Sequence, residues 1–247
     1  MRNLAEYELQ YLDQPYERFQ VRFRKRKVIE LISKINHRNI LEIGCGLEPF
    51  FLDYNNFDHL TILEPSDLFY QKAVDQLALN TELSQKVEIR QIMVERFLAD
   101  SSNTPFDLIL LSSLLHEIPE PLSFLEHIHS LCSSNTILHI NVPNGESFHR
   151  LLAFEMGLIK SPFELSSSNK QFQQHSVFSI KSLKELCTSA GFRVLEEGSY
   201  AFKPFTHLQM EKLIQENLLT LEMLEGFYKM EKYLPGVGSE IYLQLAP

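Results

Sequence analysis

The sequence lacks long apolar runs and contains only three cysteines in 247 residues. No run approaches the roughly 20 apolar residues needed to cross a bilayer, and the amino-terminal segment is polar, so neither a membrane span nor a signal peptide is predicted. Cys45, Cys132 and Cys187 are far apart and form no CxxC pair, which argues against disulfides and a zinc site. We therefore expect a cytoplasmic protein with reduced thiols and no metal ion.

Positive charge is also scarce, with 23 Lys and Arg against 32 Asp and Glu and a net charge of -9. This balance opposes general affinity for nucleic acid. One basic cluster departs from it and comprises Arg18, Arg22, Arg24, Lys25, Arg26 and Lys27. The apolar pattern of residues 28–35 follows, so we interpret the cluster as the solvated face of an amphipathic helix, the alternative being a patch for RNA or an anionic substrate.

Short apolar stretches alternate with longer helical patterns, which indicates repeated strand-helix units and a mainly parallel sheet. The predicted strands are 39–43, 59–63, 87–92, 106–112, 136–142, 192–202 and 240–245. The predicted helices are 16–35, 49–55, 66–80, 120–132, 179–190 and one or two helices within 207–233. The sequence thus predicts an α/β fold, a Rossmann-like seven-stranded sheet flanked by helices and closed by an antiparallel pair.

The first predicted strand runs into Gly44-Cys45-Gly46, and a helix is expected to begin near Pro49. Glycines let a backbone turn sharply and approach a ligand closely, and a helix N-terminus offers unpaired N–H groups. This pattern alone is weak evidence for a ligand site.

The second predicted strand ends at Glu64-Pro65, where an acidic residue can accept hydrogen bonds from both hydroxyls of a ribose. An adenosine-bearing ligand is therefore expected at the carboxyl edge of the sheet. The third glycine of the dinucleotide fingerprint is missing, and Glu48 would repel a diphosphate. Glu42 suits instead the ammonium and sulfonium end of S-adenosylmethionine, so this ligand is favoured over NAD.

The segment Leu41-Glu42-Ile43-Gly44-Cys45-Gly46 resembles the first motif of the class I S-adenosylmethionine-dependent methyltransferases. Glu64 falls where the ribose-binding acid of that family lies, and residues 106–109 with 114–121 are similar to its fourth-strand motif. Residues 142–144, 147–150 and 190–192 resemble parts of a subgroup that includes small-molecule O-methyltransferases and sugar-modifying enzymes. The resemblance implies a methyltransferase that uses S-adenosylmethionine.

The family's acid after the third strand aligns with Met93, so we expect backbone groups of Val94 to hold adenine, with Met93 as an apolar wall. The predicted cofactor-binding residues are Glu42, Gly44, Cys45, Gly46, Glu64, Pro65, Met93, Val94, Ser112 and Ser113.

A sulfonium methyl group is already activated, so positioning supplies much of the catalysis and a base is optional. For a hydroxyl acceptor, histidine is the usual base. The predicted catalytic residues are His116 and His175. His116 follows the fourth strand, and many relatives have Glu-His where this chain has His116-Glu117. Further candidates for substrate contact are His149, Arg150, Tyr200, Lys203 and His207.

Residues 144–178 lack a sustained period and predict an inserted lid or cap. In one interpretation residues 161–174 are mobile and close over the acceptor, whereas in the other residues 148–156 form a fixed helical cap. The whole chain, 1–247, is predicted to be one domain with an N-terminal helical segment (1–37), a cofactor-binding core (38–143), the lid (144–178) and a C-terminal part (179–247).

The fourth strand is not followed by the Asn/Asp-Pro-Pro-aromatic tetrapeptide of enzymes that methylate planar amino nitrogens. We therefore expect O-methylation of a small metabolite or sugar. Two alternatives stay open, a tRNA-directed methyltransferase that uses the basic cluster and a non-catalytic S-adenosylmethionine-binding protein. A small-molecule acceptor is the expected partner, nucleic acid and membrane are not, and homodimerisation is an open option.

Overall fold

The computed structural model describes Leu4, residues 16–97 and residues 105–247. The predicted N-terminal helical segment lies partly outside these residues. The helices are α1 (Glu17–Ile32), α2 (Asp67–Ala78), α3 (Pro121–Ser130), α4 (Phe148–Glu155), α5 (Ser167–Gln171), α6 (Ile180–Ser189), α7 (His207–Gln215) and α8 (Leu221–Lys229). The strands are β1 (Asn39–Ile43), β2 (His59–Leu63), β3 (Val87–Arg90), β4 (Leu108–Ser112), β5 (Ile137–Pro143), β6 (Arg193–Tyr200) and β7 (Glu240–Ala246).

The seven strands form one sheet in the order β3-β2-β1-β4-β5-β7-β6. The strands β1 to β5 are parallel, and β7 pairs antiparallel with both β5 and β6. In β4 the four residues 108–111 are buried, as expected for a parallel strand covered on both faces. The predicted Rossmann-like, mainly parallel sheet with an antiparallel ending is therefore confirmed. Among the described residues, we find no helix with the length and apolar character needed to span a membrane.

The chain order reverses between β1 and β4, because β2 and β3 lie on one side of β1 and β5 lies beyond β4. At such a switch point the loops leave the carboxyl ends of the two strands in opposite directions and open a crevice. The Gly44–Gly46 turn follows β1 and Ser113 follows β4. The fold thus places both predicted cofactor segments at one crevice.

The prediction of a helix over 49–55 is wrong, because the structure has only a 3₁₀ turn, Phe50–Leu52. Phe50 and Phe51 are both buried in the core beneath β1 and β2. Adjacent residues of an α-helix point in different directions, so a short helix could not bury both rings against this core. No α-helix N-terminus therefore points at the ligand here. Glu48, expected to repel a diphosphate, forms an ion pair of 3.1 Å with Lys25.

The segment 144–178 leaves and rejoins the sheet at one place, since the Gly145 amide donates to the Phe178 carbonyl over 2.7 Å. It contains α4 and α5, so its amino-terminal part is helical as the cap interpretation predicts. The Arg150 guanidinium donates to the carbonyls of Pro162 and Glu164 and ties the following loop to α4. Motion of residues 161–174 stays a prediction.

The basic cluster is only partly the solvated face that the sequence suggested, since Arg18 and Arg22 are exposed whereas Arg24, Lys25 and Lys27 are largely buried. Every one of its six cationic side chains lies within ion-pair distance of a carboxylate, namely Glu211 for Arg18, Glu225 for Arg22, Glu17 and Glu240 for Arg24, Glu48 and Asp53 for Lys25, Glu30 and Glu225 for Arg26, and Glu30 and Glu231 for Lys27. Half of the partner carboxylates, Glu211, Glu225, Glu231 and Glu240, come from the C-terminal elements, which pack against α1. The cluster therefore offers phosphates little uncompensated charge.

Candidate cofactor and acceptor site

A cavity of about 1380 Å³ occupies the crevice at the switch point. All ten predicted cofactor-binding residues line it, as does His116, whereas His175 does not. The volume exceeds the roughly 300–1000 Å³ of common ligand pockets. The cavity has room for a cofactor and a second molecule.

The glycine turn adopts a backbone that other residues rarely tolerate. Gly44 has a φ of 75° and Gly46 a φ of 57°, both in the left-handed region. The Gly44 amide donates to the Leu63 carbonyl over 2.8 Å, which fixes the turn to the end of β2. The turn is thus held against the cavity with no side chain between backbone and ligand at these two positions.

Glu64 organises the glycine turn. Its Oε2 accepts from the amides of Cys45 (3.0 Å) and Gly46 (3.1 Å), and its Oε1 accepts from the Ser66 amide (2.9 Å). A carboxylate offers about four acceptor positions, so about one is left, on Oε1, for a ribose hydroxyl. The predicted contact with both hydroxyls would need one of the amide bonds to yield. Ribose binding by Glu64 stays a prediction.

Glu42 is buried, and both of its oxygens accept from the Phe50 amide at 3.1–3.2 Å. Desolvation raises its pKa to about 8, opposed by the Phe50 amide and by the positive charge of Lys25. A carboxyl group with this pKa is mostly protonated at neutral pH and ionises when a cation arrives. This chemistry fits the cationic end of S-adenosylmethionine.

The predicted adenine site lies at the end of β3. Met93 is partly exposed on the cavity wall, while Val94 is buried. The Val94 carbonyl accepts from the Phe97 amide and lies 2.9 Å from the His127 Nε2. No partner of the Val94 N–H lies within the described ranges, and adenine binding by this group stays a prediction.

The end of β4 is tied to β5. The Ser112 hydroxyl donates to Oδ1 of Asn141 over 2.7 Å, and the Ser113 amide donates to the Asn141 carbonyl over 2.9 Å. Ser113 has a φ of 53°, an uncommon conformation for a residue other than glycine and one that recurs at ligand sites. Cys45 is no nucleophile, since burial raises the pKa of its thiol and keeps it protonated.

The two predicted catalytic histidines meet only through the backbone. The His116 carbonyl accepts from the amides of His175 and Ser176, but the His175 side chain is exposed and points to no described part of the cavity wall. His116 is buried on the wall, and its Nε2 lies 3.8 Å from Oε1 of Glu117. We therefore keep His116 as a candidate base and not His175.

The far end of the cavity is lined by ionisable side chains from four parts of the chain. They are Glu17 and Arg24 of α1, His149 and Arg150 of α4, Lys203 and His207 near α7, and Glu240 of β7. The sequence had singled out four of these, but not Glu17, Arg24 or Glu240 as cavity residues. The signal that could have revealed Glu240 is its place as the charged first residue of a mostly apolar strand. Tyr200 does not line the cavity, and its hydroxyl donates to Glu240 over 2.7 Å.

Comparisons with known proteins agree with this geometry. A family model described as a methyltransferase domain matches residues 16–197. A comparison with curated protein sequences gave no match. A SAM-dependent methyltransferase from Thermotoga maritima has a similar structure, with a TM-score of 0.61, 17% identity and coverage of 100% of this chain and 99% of that chain. The N-methyltransferase NodS from Bradyrhizobium japonicum WM9, in complex with S-adenosyl-l-homocysteine, has a TM-score of 0.54 at 12% identity, covering 95% and 88%.

The [4+2]-cyclase SpnF is also similar, with a TM-score of 0.60, 16% identity and coverage of 89% and 80%. The fold is thus shared with a cyclase, and at these identities structural likeness shows the fold alone. The match to the family model, together with the fold, the glycine turn and the carboxylates of Glu42 and Glu64, places the chain in the class of S-adenosylmethionine-dependent methyltransferases. Its cofactor is S-adenosylmethionine. The chain belongs to the methyltransferase-domain family whose model spans most of it.

Proposed function

We propose that this enzyme methylates a hydroxyl group of a small molecule. The observation that carries the proposal is the size of the cavity, together with the part of its wall that is built from α1, α4, α7 and β7 rather than from the predicted cofactor residues. A cavity of this kind has room for a small acceptor beside the cofactor. The paired basic cluster on α1 argues in the same direction, because a tRNA-directed enzyme needs unpaired cations for phosphates.

Each part of the proposal assigns one task to residues of this chain. The glycine turn and Glu64 hold the adenosine part of the cofactor, and Glu42 faces its cationic end. Bound S-adenosylmethionine supplies an activated methyl group on a sulfonium. His116 accepts the hydroxyl proton of the acceptor, with the Glu117 carboxylate near enough to stabilise the imidazolium.

The first prediction concerns ligand and acceptor class. In calorimetry the protein binds S-adenosylmethionine and S-adenosylhomocysteine and gives no heat with NAD. Methyl-labelled S-adenosylmethionine is then incubated with the enzyme and either a small-molecule cell filtrate or total tRNA. We expect label in small molecules and none in RNA. Label in RNA supports the tRNA-directed alternative, and cofactor binding without transfer to either fraction supports a non-catalytic protein.

The second prediction concerns residues 161–174. Ser166, Asn169 and Gln174 line the cavity, so we expect the segment that carries them, which includes α5, to move if an acceptor enters there. Hydrogen exchange in 161–174 should be fast in the protein alone and slow markedly once S-adenosylhomocysteine and an accepted substrate are bound. Helix α6 serves as the internal control and should keep its protection throughout. Equal protection of 161–174 in both states would reject a lid and leave a fixed cap.

A further inference from the structure

Lys203 is the least compensated cation at the far end of the cavity, which we call the acceptor end. It is 4% exposed and lines the cavity, yet within residues 16–97 and 105–247 no hydrogen-bond or ion-pair partner of its ammonium group is found. Buried lysines are rare unless paired, because an ammonium group loses its hydration on burial. The preceding residue but one, Ala201, has a φ of 57°, so a strained turn directs the chain at this point.

The nearby carboxylates are already engaged. Glu240 accepts three hydrogen bonds from Arg24, one from the Tyr200 hydroxyl and one from Asn141 Nδ2. Glu17 lies 3.5 Å from Arg24, and burial raises its pKa and favours its neutral form. Both carboxylates attract Lys203 only from a distance.

The positive charges at this end outnumber the negative ones. Arg24, Arg150 and a protonated Lys203 face Glu17 and Glu240, and the Arg150 guanidinium is spent on two carbonyl groups rather than a carboxylate. Counted over the described residues, the acceptor end therefore carries at least one uncompensated positive charge when Lys203 is protonated. One bound anion would balance it.

Two imidazoles complete the polar wall. His149 Nδ1 and His207 Nε2 are enclosed and have no hydrogen-bond partner among the described residues. Burial and the positive charge of Lys203 lower the pKa of both rings well below the usual value, so both are neutral. Each neutral ring carries one N–H group, and neither adds a charge that repels Lys203.

We propose that the acceptor end binds an anionic group of the methyl acceptor, a carboxylate or a phosphate, through the Lys203 ammonium group, beside the neutral rings of His149 and His207. This inference rests on the proposed function and narrows its substrate to a small anionic molecule. Desolvation lowers the pKa of Lys203 to about 7, against attraction from Glu17 and Glu240 and with added repulsion from Arg150. A bound anion raises that pKa again, so binding near neutral pH takes up protons.

The test uses protein saturated with S-adenosylhomocysteine and three probes of similar shape, namely benzoate, phenyl phosphate and the neutral benzamide. Calorimetry at pH 7 in buffers of different ionisation enthalpy measures affinity and proton uptake. We expect at least one of the two anions to bind with proton uptake and benzamide to bind more weakly. Preference for benzoate identifies a carboxylate, and preference for phenyl phosphate identifies a phosphate.

Lys203→Met should lower the affinity for the preferred anion about 10- to 100-fold, because a charge-assisted hydrogen bond is lost. It should also abolish the proton uptake. It should fold, because methionine replaces a buried charge with an apolar chain of similar length, and a higher melting temperature would show this. Lys34→Met, which removes an exposed lysine just after α1, is the matched control and should change neither quantity.

Failure of both anions to bind the wild type, or equal binding to wild type and Lys203→Met, would overturn the anion site. S-adenosylhomocysteine affinity and methyl transfer to the small-molecule filtrate are measured on the same samples. If these persist while the anions fail, only the anion site is wrong. If cofactor binding or transfer is absent from the wild type, the proposed function itself fails.

Discussion

Gly44→Val should abolish cofactor binding while leaving the protein folded. Gly44 has a φ of 75°, and a β-branched residue there is a genuine outlier. A Cβ at this position would meet only Leu114 Cδ2, at an ordinary 3.5 Å, so the obstacle is backbone strain rather than space. Relief of that strain requires the turn to abandon the Gly44–Leu63 hydrogen bond and the two amide bonds to Glu64.

Gly157→Val is a close control for this variant. Gly157 has a φ of 72°, its Cβ would meet nothing within 4 Å, and it does not line the cavity. Both substitutions should cost about 1–2 kcal/mol of stability or more, the penalty of the left-handed region. Only Gly44→Val should lose the heat of S-adenosylhomocysteine binding in calorimetry. Unchanged affinity in Gly44→Val would show that the cofactor does not contact this turn.

Glu42→Gln should stabilise the protein and weaken the binding of S-adenosylmethionine. The pKa of Glu42 is about 8 in the folded protein and about 4.5 in the unfolded chain, so the folded state holds a proton that the unfolded chain releases as pH rises. The free energy of unfolding therefore falls between pH 4.5 and 8. At about 1.4 kcal/mol per pKa unit, the loss reaches about 5 kcal/mol at pH 8. Glutamine is neutral throughout and avoids it.

The expected difference between Glu42→Gln and wild type is thus small at pH 4 and grows to pH 8 in denaturant unfolding. At pH 7 the wild type should release close to one proton when S-adenosylmethionine binds, whereas Glu42→Gln should release none. Glu48→Gln is the control, because Glu48 lies in the same loop but is half exposed. Parallel pH profiles for wild type and Glu42→Gln, or the same proton release in both, would contradict a carboxylate that ionises for the cofactor.

Hydrophobic periodicity and turn residues sufficed to predict the sheet and most of its helices. Residues 39–43 and 59–63 were predicted as strands with the bounds that β1 and β2 have. The helix predicted over 179–190 is α6, which is capped by Ser179 at its start and followed by Gly191 with a φ of 97°. The helix at 49–55 failed because periodicity does not reveal that two adjacent aromatic rings are both buried.

The predicted cofactor residues come together because each lies at or just after the carboxyl end of a parallel strand, and the sequence pattern predicts where those strands end. Their hydrogen bonds were not predictable in the same way, since Glu64 turns its carboxylate to the amides of the neighbouring loop.

The pairing of charges at the acceptor end is decided by the tertiary structure. Arg24 and Glu240 are 216 residues apart in the chain, and nothing in either local sequence says that they pair. Their pairing engages one of the two carboxylates that attract Lys203 and leaves its ammonium group without a hydrogen-bond partner among the described residues. The sequence thus determined the strands, the glycine turn and the cofactor, because strand positions and turn chemistry follow from local pattern. Only the packing of α1 and α7 against β7 decided which charges neutralise one another, because electrostatic compensation depends on distance in space and not along the chain.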